Sequence, residues 1–194
     1  MNDTSTVLDR SSRPGRIRRG AGFAGRALLY CATLIPLGIV SLVAGPLDGP
    51  RTAGWWRGLR TGLLGGTPVP PGRPGPAKIL GHAAASVLLG AAALPALGMM
   101  VLFVLRGVLY GIVDQGPYTT SWGGPSRAGA WIVHFLVGVP MAVAALAALA
   151  GIAAVHQRLT RSLDGPRPAG WVIAVTLLVP LLATVLVVLW THQL

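Results

Sequence analysis

The chain is 194 residues long, 53% hydrophobic and only 11% charged; its formal charge of +11 comes from sixteen basic residues against five aspartates. A soluble domain of this length needs more polar surface, so the composition predicts a membrane protein. Nucleic acid is set aside as a partner: the arginines cluster beside apolar runs, where anionic lipid headgroups account for them, and no basic and aromatic recognition module accompanies the charge.

In chain order, residues 1–22 combine Ser, Thr and Gly with Arg10, Arg13, Arg16, Arg18 and Arg19, predicting a flexible basic cytoplasmic tail held near an anionic leaflet. Residues 23–194 read as one polytopic membrane domain. Its first apolar segment, residues 23–45, carries Arg26 near its start and Pro36 and Gly38 near its middle. A signal peptide is the competing reading, and Pro46, directly after the small residues Ala44 and Gly45, argues against cleavage. Cys31, the single cysteine, excludes an internal disulfide and reads as a small packing residue.

Residues 48–78 change character. Trp55, Trp56, Leu59, Leu63 and Leu64 alternate with Arg57 and Arg60, predicting a short amphipathic helix with tryptophans at headgroup depth and arginines toward phosphate. Pro68, Pro70, Pro71, Pro74 and Pro76 then predict a stiff linker. The second apolar segment, residues 79–105, contains Pro95 and leads through Arg106 and Tyr110 to Asp114. If the helix continues that far, these three residues share one face, with opposite charges on successive turns. Ionisable groups at a membrane boundary mark a functional site by default. Arg106, Tyr110 and Asp114, with Tyr118 and Trp122 in the following loop and His134 beyond it, are therefore the candidate residues for receiving a signal. The plain alternative is a helix end whose charges snorkel to water and headgroups.

The third segment, residues 128–155, runs without a charge and is expected to end in water at His156, Gln157, Arg158 and Arg161. At about 1.5 Å per residue it is long enough for a hydrocarbon core of about 30 Å. The fourth, residues 171–190, has Trp171 and Trp190 marking its two ends. The fold expected is an all-α integral membrane protein: a bundle of four hydrophobic helices with interfacial amphipathic segments.

A weak internal repeat bears on sidedness. Gly65, Leu59 and Leu63 fall over Gly165, Leu159 and Leu163, with Arg57 and Arg60 near Arg158 and Arg161, so two basic helix ends look duplicated and should face one compartment. If segment one crosses, the basic residues divide eight against eight between the two sides; if it turns back near Pro36, they divide fourteen against two, as the positive-inside rule favours. A hairpin leaves backbone groups to satisfy, and the segment's length favours a span.

Trp122-Gly123-Gly124-Pro125, then Ala130-Trp131 with His134, Leu136 and Gly138, then Arg158-Leu159 with Arg161, Leu163 and Gly165 follow one another in this order. The stretch resembles the second half of the membrane sensor domain at the N-terminus of many actinobacterial histidine kinases. The resemblance implies two helical halves, a signalling role and residence in a bacterial plasma membrane. In that family the second basic element leads into a dimerisation and kinase region; here Asp164-Gly165-Pro166 leads into another apolar run. The first half also offers one apolar segment where the family has two. Output is therefore expected through a membrane or cytoplasmic protein partner.

The chain has no glutamate, and no GxSxG, HExxH, Walker-type or dinucleotide-binding pattern occurs, so a non-catalytic protein without a cofactor is expected. His82 and His134 lie deepest in apolar runs, but their helix ends face opposite leaflets, which predicts separate helix-to-helix hydrogen bonds and no shared ligand. Gly107 and Gly111 form a GxxxG pair, and Ala144, Ala147, Ala148 and Gly151 a small-residue face, open to internal packing, homo-oligomerisation or docking on a larger complex. An accessory subunit of such a complex is the alternative function; a transporter or channel is disfavoured because no midplane polar pathway is visible.

Overall fold

The computed structural model describes residues 13–68, 70–165 and 167–192, with side chains from residue 22 onward. Residues 1–12 of the expected basic tail, Arg10 included, lie outside the described residues. The elements are α1 (Arg13–Ala44), α2 (Gly49–Leu64), α3 (Pro76–Leu102) continued by a π-helical turn (Phe103–Val108), α4 (Tyr110–Val113), α5 (Arg127–Ser162) and α6 (Gly170–Thr191). Four stretches, Gly22–Ala44, Pro76–Val108, Arg127–Ser162 and Gly170–Thr191, are long and apolar enough to cross a membrane. They pack as an all-α bundle, the solution lipid demands, since a helix satisfies its own backbone groups.

Segment one does not turn back. α1 is continuous through Pro36, and the helix begins at Arg13, ten residues before its apolar part. Gly38, which read as half of a turn signal, serves close approach: a Cβ there would lie 2.8 Å from Val87 Cγ2 on α3, and one at Gly90 would lie 2.7 Å from Ile35 Cγ1. The two glycines let α1 and α3 approach backbone to backbone, where lipid-embedded helices gain their packing energy. Ala27, Tyr30, Cys31, Leu34 and Ser41 form the buried stripe of α1, spaced as one helical face.

Each end has a local cause. Asp48 caps α2, its carboxylate accepting from Arg51 N–H at 3.1 Å, and Gly65, at φ 64°, closes it in the left-handed conformation. Pro76 starts α3 at the first turn, where a missing N–H costs nothing. Ser126 caps α5 through Gly129 N–H at 3.1 Å. Trp171 and Trp190, at the ends of α6, are both more than half exposed on its surface.

α2 departs from its expected place. It does not present Trp56 and Arg60 to headgroups but folds back into the bundle, burying Thr52, Ala53, Trp56, Arg60 and Leu64 along one face. Trp56 is fully buried and its indole N–H donates to Ser41 Oγ at 3.0 Å. The alternation of Trp, Leu and Arg that suits an interface suits a groove between helices equally well. Trp55 stays half-buried.

Candidate functional site

Two polar regions emerge, and only one was expected. The unexpected one sits where α1, α2, α3 and α5 meet. His156, read as a wet helix end, is fully buried because α5 continues to Ser162 and α2 covers it. Its Nδ1 lies 2.7 Å from Tyr30 Oη and its Nε2 2.7 Å from Ser86 Oγ. Ser86 spends its one proton on the His82 carbonyl at 2.7 Å, so its oxygen accepts from His156 Nε2–H, and Nδ1 accepts from the Tyr30 hydroxyl. The rings of Trp56 and His82 pack against the same imidazole, with centroids 5.1 and 4.9 Å away. Tyr30 and Ser86 were legible as polar groups inside apolar runs that must find partners in lipid, but nothing local says that they find the same one.

The duplicated basic ends touch. Arg57 Nε donates to both carboxylate oxygens of Asp164 at 2.9 Å and its Nη2 to the same carboxylate and, at 3.0 Å, to the Gly72 carbonyl. Gly72 N–H completes the ring, donating to Asp164 Oδ1 at 3.0 Å. Arg57 thus faces a carboxylate, not lipid phosphate. Arg60 is 1% exposed; its Nη2 donates to the Thr67 carbonyl, while its Nε and Nη1 have no partner. Burial first, then the neighbouring Arg161, lowers its pKa. Arg158 and Arg161 are exposed as expected, with the Arg158 guanidinium 5.1 Å from the centre of the Trp171 ring.

The expected region lies at the other end of α3. The helix does not continue regularly to Asp114: Leu109 N–H bonds the Val104 carbonyl five residues back, and the chain breaks at Leu109 before α4. Arg106 and Asp114 are not ion-paired; Arg57 with Asp164 is the one salt bridge among the described residues. Instead Arg106, Tyr110, Asp114, Trp122 and His134 all line a cavity of about 530 Å³, with Met99, Phe103, Val137 and Met141 as apolar wall. Such a π-helical turn is a frequent companion of functional sites.

The sixth residue, Tyr118, holds the loop: its hydroxyl donates to the Asp114 carbonyl at 2.6 Å and its ring lies 6.3 Å from that of Tyr110. Asp114 Oδ1 accepts from Gly116 N–H at 3.0 Å. His134 does not bond a neighbouring helix through Nδ1 but its own Ala130 carbonyl at 2.8 Å, and its ring stacks on Tyr110 at 4.2 Å. Trp122 is 84% exposed at the cavity's edge, and Ser121 Oγ is buried there without a partner. His82 lines a different cavity, so the two histidines are separate, as expected.

The GxxxG pair serves this cavity from inside the chain. Trp131 donates its indole N–H to the Gly107 carbonyl at 2.9 Å and lies over Gly111, where a Cβ would fall 2.5 Å from Cε3. By contrast Ala144, Ala147, Ala148 and Gly151 are exposed on α5, outside the bundle's own packing. No protein-family model, curated protein or solved structure matches the chain.

Proposed function

We propose that the protein is a non-catalytic, sensor-like component of a bacterial plasma membrane, which receives an extracytoplasmic or lipid-borne signal in the Arg106 cavity and relays it to a protein partner. The observation that carries this reading is the convergence on one cavity of Arg106, Tyr110, Asp114, Trp122 and His134, drawn from the π-helical turn, α4, α5 and the loop between α4 and α5. A cation and an anion that do not pair with each other, beside an apolar wall, suit an amphipathic molecule bearing polar groups of both kinds. The π-helical turn and the broken helix at Leu109 supply an element that can shift when the cavity fills.

The test replaces Arg106 and Asp114 together by alanine in the full chain and compares it with the wild type in native membranes. The variant is expected to insert with the same protease-protection pattern but, once purified in a background that keeps Trp122 as the single tryptophan, to lose the ligand-dependent change in emission when a single-chain zwitterionic lipid, lysophosphatidylcholine, is titrated. An unchanged Trp122 response removes the reading. The accessory-subunit alternative draws on the exposed Ala144, Ala147, Ala148 and Gly151 face, which admits a partner helix at short distance. It expects a stable membrane assembly captured equally by wild type and variant.

A further inference from the structure

A second cavity, of about 750 Å³, opens between α3, α5 and α6 at the end of the bundle opposite Arg106. Its chemistry is graded along the helices. Lys78 and Arg167 stand at the outer end, His82 follows one turn along α3, and Ala85 and Leu88 of α3 with Thr176 and Leu177 of α6 line the inner part. From Lys78 to Leu88 the helix rises about 15 Å, half the thickness of a hydrocarbon core.

Polar groups in this cavity are only partly used. Thr176 and Ser162 donate to carbonyls of their own helices, and Lys78 gives one of its three protons to the Gly165 carbonyl at 2.9 Å. His82 is 6% exposed, and its Nε2 has no partner. A further cavity of about 270 Å³ continues along the same seam, sharing Leu88 and walled by Ala92, Pro95, Pro180 and Val187. α6 packs on α3, and an apolar track that begins at two cations follows their seam.

We propose that this seam binds one anionic phospholipid, its phosphate between Lys78 and Arg167, its glycerol region beside His82, and an acyl chain along the track past Leu88. The charge selects the headgroup, and the exposed flanks Leu177 and Leu181 open the track to bulk lipid. The site is independent of the Arg106 cavity and would survive failure of the signalling reading.

The test is native mass spectrometry of the delipidated full chain, titrated with phosphatidylglycerol, phosphatidylcholine or glycerol 3-phosphate. The wild type is expected to retain a single phosphatidylglycerol, with roughly tenfold preference over phosphatidylcholine, and no glycerol 3-phosphate. Lys78→Ala with Arg167→Ala should remove the preference. Ala84→Trp, which fills the cavity from an exposed position and leaves both charges in place, should lower retention of both lipids. Helix content by circular dichroism checks that each variant is folded. Equal retention of the two phospholipids by the wild type, binding of glycerol 3-phosphate, a preference that survives loss of both cations, or lipid retention indifferent to Ala84→Trp overturns the proposal.

Discussion

Tyr30 and His156 are separated by 126 residues in the chain, and their side chains meet at 2.7 Å inside the bundle. The bond ties the first crossing helix to the third, and Ser86 on α3 occupies the other imidazole nitrogen. Removing the hydroxyl alone leaves the buried Nδ1 with only a long contact of 3.5 Å to Thr160 Oγ1, a loss of about 1–3 kcal/mol in protein interiors and nearer 0.6 in membrane bundles. Tyr30→Phe should therefore lower the unfolding midpoint in mixed micelles, and Ser86→Ala likewise. Combined, the two should fall short of or exceed their sum, because both act on one ring.

Trp56 separates a bundle in which α2 is packed from one in which it floats at the interface. It is fully buried, whereas Trp122 is 84% exposed. A single-tryptophan protein retaining Trp56 should emit at short wavelength and resist aqueous acrylamide, and one retaining Trp122 should be quenched. Trp56→Ala should cost about 3–5 kcal/mol, the range for emptying a large aromatic site.

The Asp164 side chain is 1% exposed and that of Arg57 17%, so the carboxylate is the deeper partner of their pair. Asp164→Ala leaves the Arg57 guanidinium with the Gly72 carbonyl alone and the Gly72 N–H without its acceptor, and should cost about 1–3 kcal/mol. Removing both charges should recover part of that loss in thermal unfolding. Arg60→Met should act in the opposite direction. Its folded pKa is lowered by burial, so its charge disfavours the fold at every pH below that value; arginine stays protonated throughout the accessible range, and the penalty is always present. The variant is expected to be at least as stable as the wild type.

The four crossing helices were legible because lipid leaves the backbone few alternatives: expected segments at residues 79–105 and 171–190 match Pro76–Val108 and Gly170–Thr191 within a few residues. Arg106, Tyr110 and Asp114 were conspicuous as polar residues at an apolar boundary, but the expected single helical face is broken at Leu109 and they line a cavity instead. Trp56, Arg60 and His156 were misplaced for a shared reason. A basic and aromatic helix end carries the same pattern whether it meets headgroups or another helix, and the helix that covers it comes from elsewhere in the chain. The π-helical turn left no signal either: the contacts made there, Phe103 against Gly107 and the Trp131 indole on the Gly107 carbonyl, follow no local sequence pattern.

Gly111 distinguishes internal packing from dimer formation. In a GxxxG dimer, a larger residue at Gly107 or Gly111 separates two chains; here Trp131 of the same chain fills that space. Gly111→Val should leave the oligomeric state, measured by light scattering in detergent, unchanged. It should instead displace Trp131 and alter its emission, together with the lining of the Arg106 cavity.

Continuity of α1 through Pro36 fixes the relative sides of every loop, although an even division of basic residues gives the positive-inside rule nothing to weigh. Gly22 and Trp122 belong to one side; Leu47 and Gly165 belong to the other. Cysteines introduced singly at these positions, in a Cys31→Ala background, should react with a membrane-impermeant maleimide in two opposed pairs. The background is suitable because Cys31 is buried, and its thiol makes only a long contact of 3.4 Å with the Leu149 carbonyl. Labelling of Gly22→Cys and Leu47→Cys from the same side would require the chain to reverse at Pro36, against the unbroken helix through that residue and the close approach of Gly38 to Val87.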